Sequence, residues 1–396
     1  MTQNADNRMI ITCDGNMPSR HAHSINVMKM AQGFHQAGLD VAVVSLLSLP
    51  NILIRRRVKN IHAFYGIDDD IEIKLLPVFN RDFFRKTTGA KGFNKKAAKY
   101  IKKAAPAFAY CRSYLTPYYC VRQGVPAIIE THTTNFDHPS LKKVYEIAGD
   151  KAFLGMVTIS ESIKKEHVRR GIAGNKILVL EDGVDLDSFD IDDDREKWRR
   201  HTGMPPDKKI VLYAGSLYRE KGIEHILLVA GKLQSDRHIR FVIVGGSKKQ
   251  VDFWKAYAKE NKIENVMFTG FVNNADIPKY LKSADALIMP YDTSFDYGVM
   301  DLDTTSPLKL FEYMAAKRPV ISTKLPAITK VVKHNESAML AEANNIDMLA
   351  EYVRELLQNP SKGSQLCARA CELVKAYEWK SRCRVILDTL VGSART

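Results

Sequence analysis

Short runs of β-branched and other apolar residues alternate with helix-forming segments along the chain of 396 residues. Seven such runs lie in the first half, at 9–13, 39–47, 71–78, 107–111, 126–131, 155–160 and 177–182. Six more follow, at 209–216, 240–246, 265–272, 286–292, 319–323 and 337–343. Strands that alternate with helices form parallel sheets with helices on both faces. The pattern therefore predicts an α/β protein with two doubly wound sheets.

A polar stretch separates the two sets of strands. It runs from 185 to 209 and is interrupted by Gly203, Pro205 and Pro206, which is typical of a linker. The length of the chain also favours two domains over one. We therefore predict an N-terminal domain over 1–188 and a C-terminal domain over 205–376, with ligands at the carboxyl ends of the strands.

One candidate site lies in the sequence SPLKLFEYMA. Ser306 suits the N-cap of a helix, and Pro307 suits its first position, where a missing N–H costs nothing. The amides of Leu308 and Lys309 would then be available to a phosphate or diphosphate. Glu312, one to two turns further on, could accept hydrogen bonds from a ribose. On spacing alone, a capped helix with a solvated glutamate is the commoner explanation.

A basic loop follows the first strand of the second set. The sequence YAGSLYREKG places Arg219 and Lys221 after that strand and before Gly222, where a helix begins. Two cations beside a cleft would stabilise a leaving group that gains negative charge, an effect of about 10²- to 10³-fold in rate. A solvated basic loop is the alternative.

Two loops of the first domain also lie at strand ends. Gly15 follows the first strand and precedes a helix that begins near Ser24, so the backbone could approach a ligand closely there. Glu130 and His132 follow another strand and would point into the same crevice. A single histidine at such a position is equally compatible with a structural and a functional role.

Five stretches carry a resemblance to a known family: KGIEHIL, FTGFV, SADALIMPY, SPLKLFEYMAAKRPVIS and VTISESIKKE…ILVLEDGVDLDSF. They resemble the successive signatures of family 4 retaining glycosyltransferases of the GT-B fold, also called group 1 glycosyltransferases. The resemblance covers most of the chain and is densest from 155 to 335. It implies two Rossmann-like domains facing across a cleft, with the donor bound mainly by the C-terminal domain. It also implies that a final helix, within 377–396, crosses back to the first domain.

The resemblance assigns roles to individual residues. Glu312 matches the glutamate that binds the donor ribose, Leu308 and Lys309 match the amides at the diphosphate, and Lys221 matches the cation there. In the N-terminal domain, His132 matches the histidine near the transferred sugar and Gly15 the glycine beside the diphosphate. The candidate catalytic residues are thus His132, Lys221 and Arg219. The candidate donor-binding residues are Gly15, Ser216, Ser306, Pro307, Leu308, Lys309 and Glu312.

The chain departs from the family pattern in two places. The first glutamate of the family's paired-glutamate motif would stand at position 304, which is Thr304, and Ser306-Pro307 replaces the usual Phe-Gly. That glutamate often contacts the donor sugar, so the sugar stays open. The cation expected five residues before Lys221 would stand at Ser216, and Arg219 is a candidate to supply its charge.

The family implies a hexosyl transfer with retention of configuration and without a required metal or cofactor. The donor would be a UDP- or GDP-linked sugar and the acceptor a glycan or a lipid-linked molecule in surface polysaccharide biosynthesis. Because no protein nucleophile is evident, we expect attack from the face that the diphosphate leaves. Acidic stretches at 68–70, 182–187 and 301–303 could suggest a metal site, but acidic turns are common and the basic groups above already supply positive charge.

A basic block lies between residues 81 and 122, with eleven Lys or Arg against Asp82 alone. Apolar residues from Phe93 to Ala104 recur there at helical spacing. Lysines occupy the other faces: Lys95, Lys96, Lys99, Lys102 and Lys103. Packing of this helix against the sheet accounts for the apolar residues on one of its faces. The lysines, with FFRK at 83–86, suggest peripheral contact with the anionic cytoplasmic face of a membrane, at about 1 kcal/mol for each lysine.

Composition limits the compartment. The six cysteines show no C-x-x-C pairing, which indicates reduced thiols and a cytoplasmic protein. The N-terminus lacks the cationic start and apolar core of a signal peptide, and no window holds 18 consecutive apolar residues.

Three other functions compete with the transferase. A non-enzymatic nucleic-acid- or membrane-binding protein would explain the net charge of +14, but no RNA-binding or zinc-finger motif occurs, so we expect no nucleic-acid partner. A nicotinamide dehydrogenase is disfavoured because CDGNMPS is not G-x-G-x-x-G. A nonhydrolysing nucleotide-sugar 2-epimerase shares the fold and the donor site, and analysis of the product distinguishes it.

Overall fold

The computed structural model describes residues 7–19, 22–47, 58, 60–68, 70–77, 89–294 and 307–392. The chain divides into two compact units, residues 1–182 with 379–396, and residues 183–378. In the described residues, the first unit contains a sheet of seven strands and the second a sheet of six, and all of these strands pair in parallel. All thirteen predicted strands are present. The predicted α/β fold with two doubly wound sheets is therefore confirmed.

The strands of the first unit, β1 to β7 in chain order, are Arg8–Asn16, Asp40–Leu47, Glu72–Pro77, Phe108–Cys111, Ala127–Glu130, Phe153–Thr158 and Ile177–Val179. They lie in the sheet in the order β3-β2-β1-β4-β5-β6-β7. Its α-helices are Ala22–Gln36, Ile61–Tyr65, Gly89–Ala104, Leu115–Val121, Pro139–Tyr145, Glu161–Arg169 and Trp379–Ile386. The strand order reverses between β1 and β4, and ligands of doubly wound folds bind beside such a reversal.

The helix Gly89–Ala104 shows the amphipathic pattern that its sequence predicts. Phe93, Ala97 and Ile101 are fully buried against the sheet. Burial of a large apolar side chain of this kind contributes about 1.5–3 kcal/mol. The five lysines of the prediction, Lys95, Lys96, Lys99, Lys102 and Lys103, are all exposed.

The last helix, Trp379–Ile386, packs against the helix Ala22–Gln36 of the first unit. Gly33 makes this contact close. A Cβ at Gly33 would lie 2.8 Å from the carbonyl oxygen of Trp379 and 2.9 Å from the sulfur of Cys383. The absence of a side chain at position 33 therefore allows the returning segment to lie directly on the first unit.

The strands of the second unit, β8 to β13 in chain order, are Lys209–Ala214, Ile239–Val244, Val266–Gly270, Ala286–Met289, Val320–Thr323 and Met339–Ala341. They lie in the sheet in the order β10-β9-β8-β11-β12-β13. Its α-helices are Arg195–Thr202, Ile223–Leu233, Lys248–Glu260, Ile277–Lys282, Leu308–Ala315, Pro326–Thr329, Ile346–Gln358 and Pro360–Val374. The order reverses between β8 and β11, so the loop after β8 lies at the reversal.

The prediction that 185–209 is a linker is wrong in part. This stretch contains the helix Arg195–Thr202, capped by the side chain of Asp194. Trp198 is buried, and the guanidinium of Arg199 pairs with Asp285 at 2.5 Å. The charged residues of this stretch take part in structure, since Arg195 and Arg199 both pair with Asp285. The predicted domain limits, 1–188 and 205–376, leave this helix out.

Candidate active site

Two glycines allow close contacts in the second unit at the carboxyl ends of β8 and β9. Gly215 has φ +155°, and a Cβ there would lie 2.0 Å from Cε of Lys309. Gly245 has φ +112°, and a Cβ there would lie 2.2 Å from the carbonyl oxygen of Gly215. No other residue type fits these positions without displacing its neighbours. The end of β8 can therefore lie against the side chain of Lys309 and against the backbone that follows β9.

This helix begins one residue later than predicted. Pro307 has ψ +59°, which is not helical, and it occupies the N-cap position instead of the first turn. Its carbonyl accepts from the amide of Leu310 at 2.8 Å. The first amides of a helix have no partner within it, so those of Leu308 and Lys309 remain the candidate donors to an anion. Ser306 and Thr304 lie outside the described residues.

Two lysines form the basic part of this site. The Nζ of Lys309 lies 5.4 Å from the ring centroid of Tyr213, and that of Lys221 lies 5.3 Å from the ring centroid of Tyr291. Burial lowers the pKa of Lys309 to about 7, with a further contribution from the charge of Lys221. Burial also lowers the pKa of Lys221. An anion between these groups would reduce their repulsion and compensate for their lost hydration.

Other predicted residues of the second unit lie around this pair. The charges that act on Lys309 in the described part of the chain are those of Lys221, Glu312 and Glu220, so the structure brings Glu312 close to the pair. Arg219, in contrast, is exposed, and its guanidinium lies 5.3 Å over the ring of Phe253 on the helix Lys248–Glu260.

Ser216 follows Gly215 directly. Its carbonyl accepts a hydrogen bond from the hydroxyl of Tyr213 at 2.7 Å. This bond holds the loop after β8 by its backbone, beside the aromatic ring that faces Lys309.

Gly222 holds Lys221 in place, and we predict that an alanine there is strongly destabilising. Its φ is +72°, and a Cβ would lie 1.9 Å from the carbonyl oxygen of Pro290. Gly203 has a matching φ of +71° with no atom within 4 Å of such a Cβ, so Gly203→Ala is the control. We expect Gly203→Ala to lower the free energy of unfolding by about 1–2 kcal/mol through backbone strain alone. Gly222→Ala should cost about 1–3 kcal/mol more. Thermal unfolding measures both, and equal effects would contradict the close contact.

The second candidate site lies in the first unit, at the ends of β1, β4 and β5. The sequence predicts Gly15 just after the first strand, but Gly15 is the penultimate residue of β1, where the pairing with β2 is irregular between Cys13 and Asn16. A Cβ at Gly15 would lie 3.2 Å from Cδ2 of His23. Burial, with the charge of Arg112, lowers the pKa of His23 to about 4, so this ring is neutral at pH 7. The loop at Gly15 is therefore closely packed on a neutral histidine.

His132 contacts a buried carboxylate at the end of β5. Its Nε2 lies 2.7 Å from Oε1 of Glu130, which is fully buried. Arg382 and Arg112 lie 3.0 and 3.1 Å from the same oxygen, and the hydroxyl of Tyr110 donates to Oε2. Burial opposes ionisation of Glu130, but the two arginines and His132 outweigh it and hold its pKa well below the usual range. Glu130 is therefore a carboxylate at neutral pH.

Three groups of these sites escape prediction from sequence. The motif assigns a role only to the backbone amide of Lys309, so it does not predict that the side chain of Lys309 also lies in the site. Arg112 and Arg382 stand in stretches without a recognisable motif, and Arg382 reaches Glu130 across 252 residues of chain. A buried charge at β5 was the only available signal, because Glu130 requires a cationic partner.

Two groups of side chains in the described ranges have the composition of a metal site. Glu130, His132 and Asp182 offer ligand atoms within 4.8 Å of one another, as do His35, Asp68 and Asp70. The first set does not suit a cation, because two guanidinium groups already face Glu130. The second set is half-buried to exposed, a common arrangement without an ion. The expected independence from metal stays a prediction.

Comparison with known proteins identifies the family of the second unit. Residues 194–372 match the family of glycosyl transferases group 1. The uncharacterized glycosyltransferase MJ1607 of Methanocaldococcus jannaschii is 27% identical over 209 residues, 52% of this chain and 51% of its own length. The putative teichuronic acid biosynthesis glycosyltransferase TuaC of Bacillus subtilis is 23% identical over 358 residues, 85% of this chain and 86% of its own. This chain thus aligns with about half the length of the first of these relatives.

A solved structure shares the fold over nearly the whole chain. Anabaena HepE, in complex with UDP and glucose, superimposes with a TM-score of 0.69 at 14% identity, covering 97% of this chain and 99% of its own. The resemblance to group 1 glycosyltransferases and the GT-B fold is thus confirmed. Residues 194–372 belong to the group 1 glycosyl transferases, in a chain with the GT-B fold.

Proposed function

We propose that this chain is a retaining glycosyltransferase of family 4 that transfers a hexosyl group from a UDP- or GDP-linked donor, without a metal. The acceptor is a glycan or a lipid-linked molecule in surface polysaccharide biosynthesis. The observation that carries the proposal is the pair of half-buried lysines, Lys309 and Lys221, whose pKa values are both lowered, beside the start of the helix Leu308–Ala315. The UDP and glucose in HepE support the donor class, and the teichuronic acid pathway named for TuaC supports the acceptor class.

The donor diphosphate contacts the amides of Leu308 and Lys309, with the ammonium groups of Lys309 and Lys221 beside it. Glu312 accepts hydrogen bonds from the ribose. Because the configuration is retained and the sequence offers no evident protein nucleophile, the acceptor attacks from the face that the diphosphate leaves. The two cations and the helix terminus stabilise the departing diphosphate.

In the first unit, Gly15 approaches the diphosphate with its backbone, and His132 contacts the transferred sugar. Gly15 lies at the end of β1 and His132 just after β5, at the same edge of the first sheet, where ligands of doubly wound folds bind.

A panel of nucleotide sugars tests the proposal. The correct donor at one hundred times its Kd should stabilise the protein by about 2.7 kcal/mol in thermal unfolding. Glu312→Ala should weaken this effect, whereas Glu336→Ala, at an exposed glutamate of the same unit, should not. Product analysis by NMR then shows the anomeric configuration. Stabilisation by no nucleotide sugar, or an epimer formed without acceptor, would contradict the transferase.

Binding of UDP should depend on pH through Lys309. Its pKa is about 7 without ligand, and a neighbouring diphosphate raises it. The protonated lysine binds better, so affinity is highest below pH 7 and falls by up to about tenfold per pH unit above it. Calorimetry between pH 7 and 9 in buffers of different ionisation enthalpy counts the protons taken up. Lys309→Met should abolish the uptake that belongs to the protein, and equal uptake in this variant would exclude Lys309.

We also propose that the helix Gly89–Ala104 binds an anionic membrane surface. Among the described residues, no helix is both long and apolar enough to span a bilayer. The five lysines are exposed, although Lys96 donates to the carbonyl of Pro77 and Lys95 lies over Tyr119. The FFRK segment at 83–86 lies outside the described residues.

Flotation with phosphatidylglycerol vesicles tests the membrane contact. Reversing the charges of Lys95, Lys96, Lys99, Lys102 and Lys103 should abolish flotation, because each lysine contributes about 1 kcal/mol. A matched control reverses five exposed lysines of the second unit: Lys248, Lys249, Lys255, Lys259 and Lys262. Unchanged flotation of the first variant, or an equal loss in the control, would reject this surface.

A further inference from the structure

Arg382 connects the two points at which the chain leaves and re-enters the first unit. The chain leaves after Asp182 and returns at Trp379. Arg382, three residues after the return, donates from Nε to the carbonyl of Glu181 at 2.8 Å and from Nη2 to that of Leu180 at 3.3 Å. Its side chain is 3% exposed. The guanidinium therefore joins the departing and returning segments from a buried position.

The same guanidinium holds Glu130. Nη2 lies 3.0 Å from Oε1, and Nη1 lies 3.4 Å from Oε2. Tyr110 donates to Oε2, and Nη1 of Arg112 lies 3.1 Å from Oε1. Since the fork of an arginine matches the two oxygens of a carboxylate, these contacts fix the orientation of Glu130 as well as its charge.

The orientation of Glu130 determines the protonation of His132. Nε2 of His132 lies 2.7 Å from Oε1 of Glu130 and 4.0 Å from Oδ1 of Asp182. Asn26 donates to that oxygen of Asp182 at 2.7 Å, which holds the second carboxylate. An ionised carboxylate can only accept hydrogen bonds, so Nε2 carries a proton, and whenever the ring is neutral Nδ1 is its acceptor nitrogen.

We propose that Glu130 and Arg382 are positioning residues that fix His132 as the tautomer protonated on Nε2. His132 then offers Nδ1 to the substrate and accepts a hydrogen bond from one of its hydroxyl groups. The inference deepens the proposed function, since it rests on the contact between His132 and the transferred sugar. Its part about the tautomer concerns the free protein and needs no substrate.

Nitrogen NMR of the full chain labelled with ¹⁵N-histidine tests the tautomer. His132→Gln identifies the signals of His132. At alkaline pH, where the ring is neutral, we expect a single tautomer with the proton on Nε2 in the wild type and in Glu146→Gln, a variant at an exposed glutamate of the same unit. Glu130→Gln should lose the single tautomer, because an amide can donate to Nε2 as well as accept from it. Arg382→Lys, which keeps the charge but not the fork, should show a smaller change of the same kind.

A wild-type ring with its proton on Nδ1, or an unchanged tautomer in folded Glu130→Gln, would overturn the inference. The kinetic arm uses the donor from the nucleotide-sugar panel. There, Glu130→Gln should lower kcat by about 10- to 100-fold with an unchanged KM for the donor, by analogy with carboxylates that orient metal-bound histidines. An equal loss in Glu146→Gln would also overturn it. Failure of every donor in the panel would reject the proposed function and still leave the NMR result decisive for the tautomer.

Discussion

Replacing Lys221 with alanine is expected to lower kcat by about 10²- to 10³-fold, the cost of removing one preorganised group that stabilises developing charge. Lys221 lies beside the ring of Tyr291, and its pKa is lowered by burial. Its charge gains most when the diphosphate departs, because the low dielectric of the site strengthens the attraction. We expect a smaller rise in KM, since Lys309 and the helix amides still bind the intact donor. Initial rates with saturating donor and acceptor measure kcat.

Lys232→Ala is the matched control for Lys221→Ala. Lys232 lies on the helix that follows Lys221, and it is about half exposed in an ion pair with Asp347. An exposed pair of this kind contributes about 0–1 kcal/mol, so turnover should not change. A loss of turnover below about fivefold in Lys221→Ala would assign the main electrostatic role to another group, and Arg219→Ala would then be the next variant.

The predictable part of this molecule is local in sequence. Most strands are short apolar runs, and inner strands such as β8 are buried along nearly their whole length. The helix Gly89–Ala104 repeats its apolar residues every three or four positions. Both patterns follow from the geometry of a single element. The positions of Gly15, Lys221 and Glu130 at strand ends follow from the parallel topology, because one edge of a parallel sheet collects the carboxyl ends of all its strands.

The unpredictable part depends on contacts between distant segments. The helix Arg195–Thr202 looks like a linker until Arg199 finds Asp285, 86 residues later. Arg219 and Lys221 stand two residues apart, yet the turn between them directs one to Phe253 and the other to Tyr291. No periodicity encodes such pairings, so a cation in the sequence indicates only that an anion or an aromatic face lies somewhere near it.

Arg382→Ala is expected to destabilise the first unit by about 3–5 kcal/mol, the usual cost of removing one partner of a buried ion pair. Glu130 would remain fully buried with Arg112 as its remaining arginine partner, and the carbonyls of Leu180 and Glu181 would lose their donor. In a unit of this size, such a loss lowers Tm by roughly 10 °C. Calorimetry of the full chain resolves this transition.

Arg384→Ala is the control, because Arg384 is exposed on the same helix and should change stability by less than about 0.5 kcal/mol. The pH dependence separates the ion pair from packing. The pKa of Glu130 is lowered by folding, so the pair contributes fully above the ordinary carboxyl pKa, and its contribution is lost as the pH falls through the folded value. The difference in the free energy of unfolding between wild type and Arg382→Ala should therefore be largest at neutral pH and become smaller in acid. A difference that stays constant over the whole acid range in which both proteins remain folded would mean that Arg382 stabilises the first unit by packing alone.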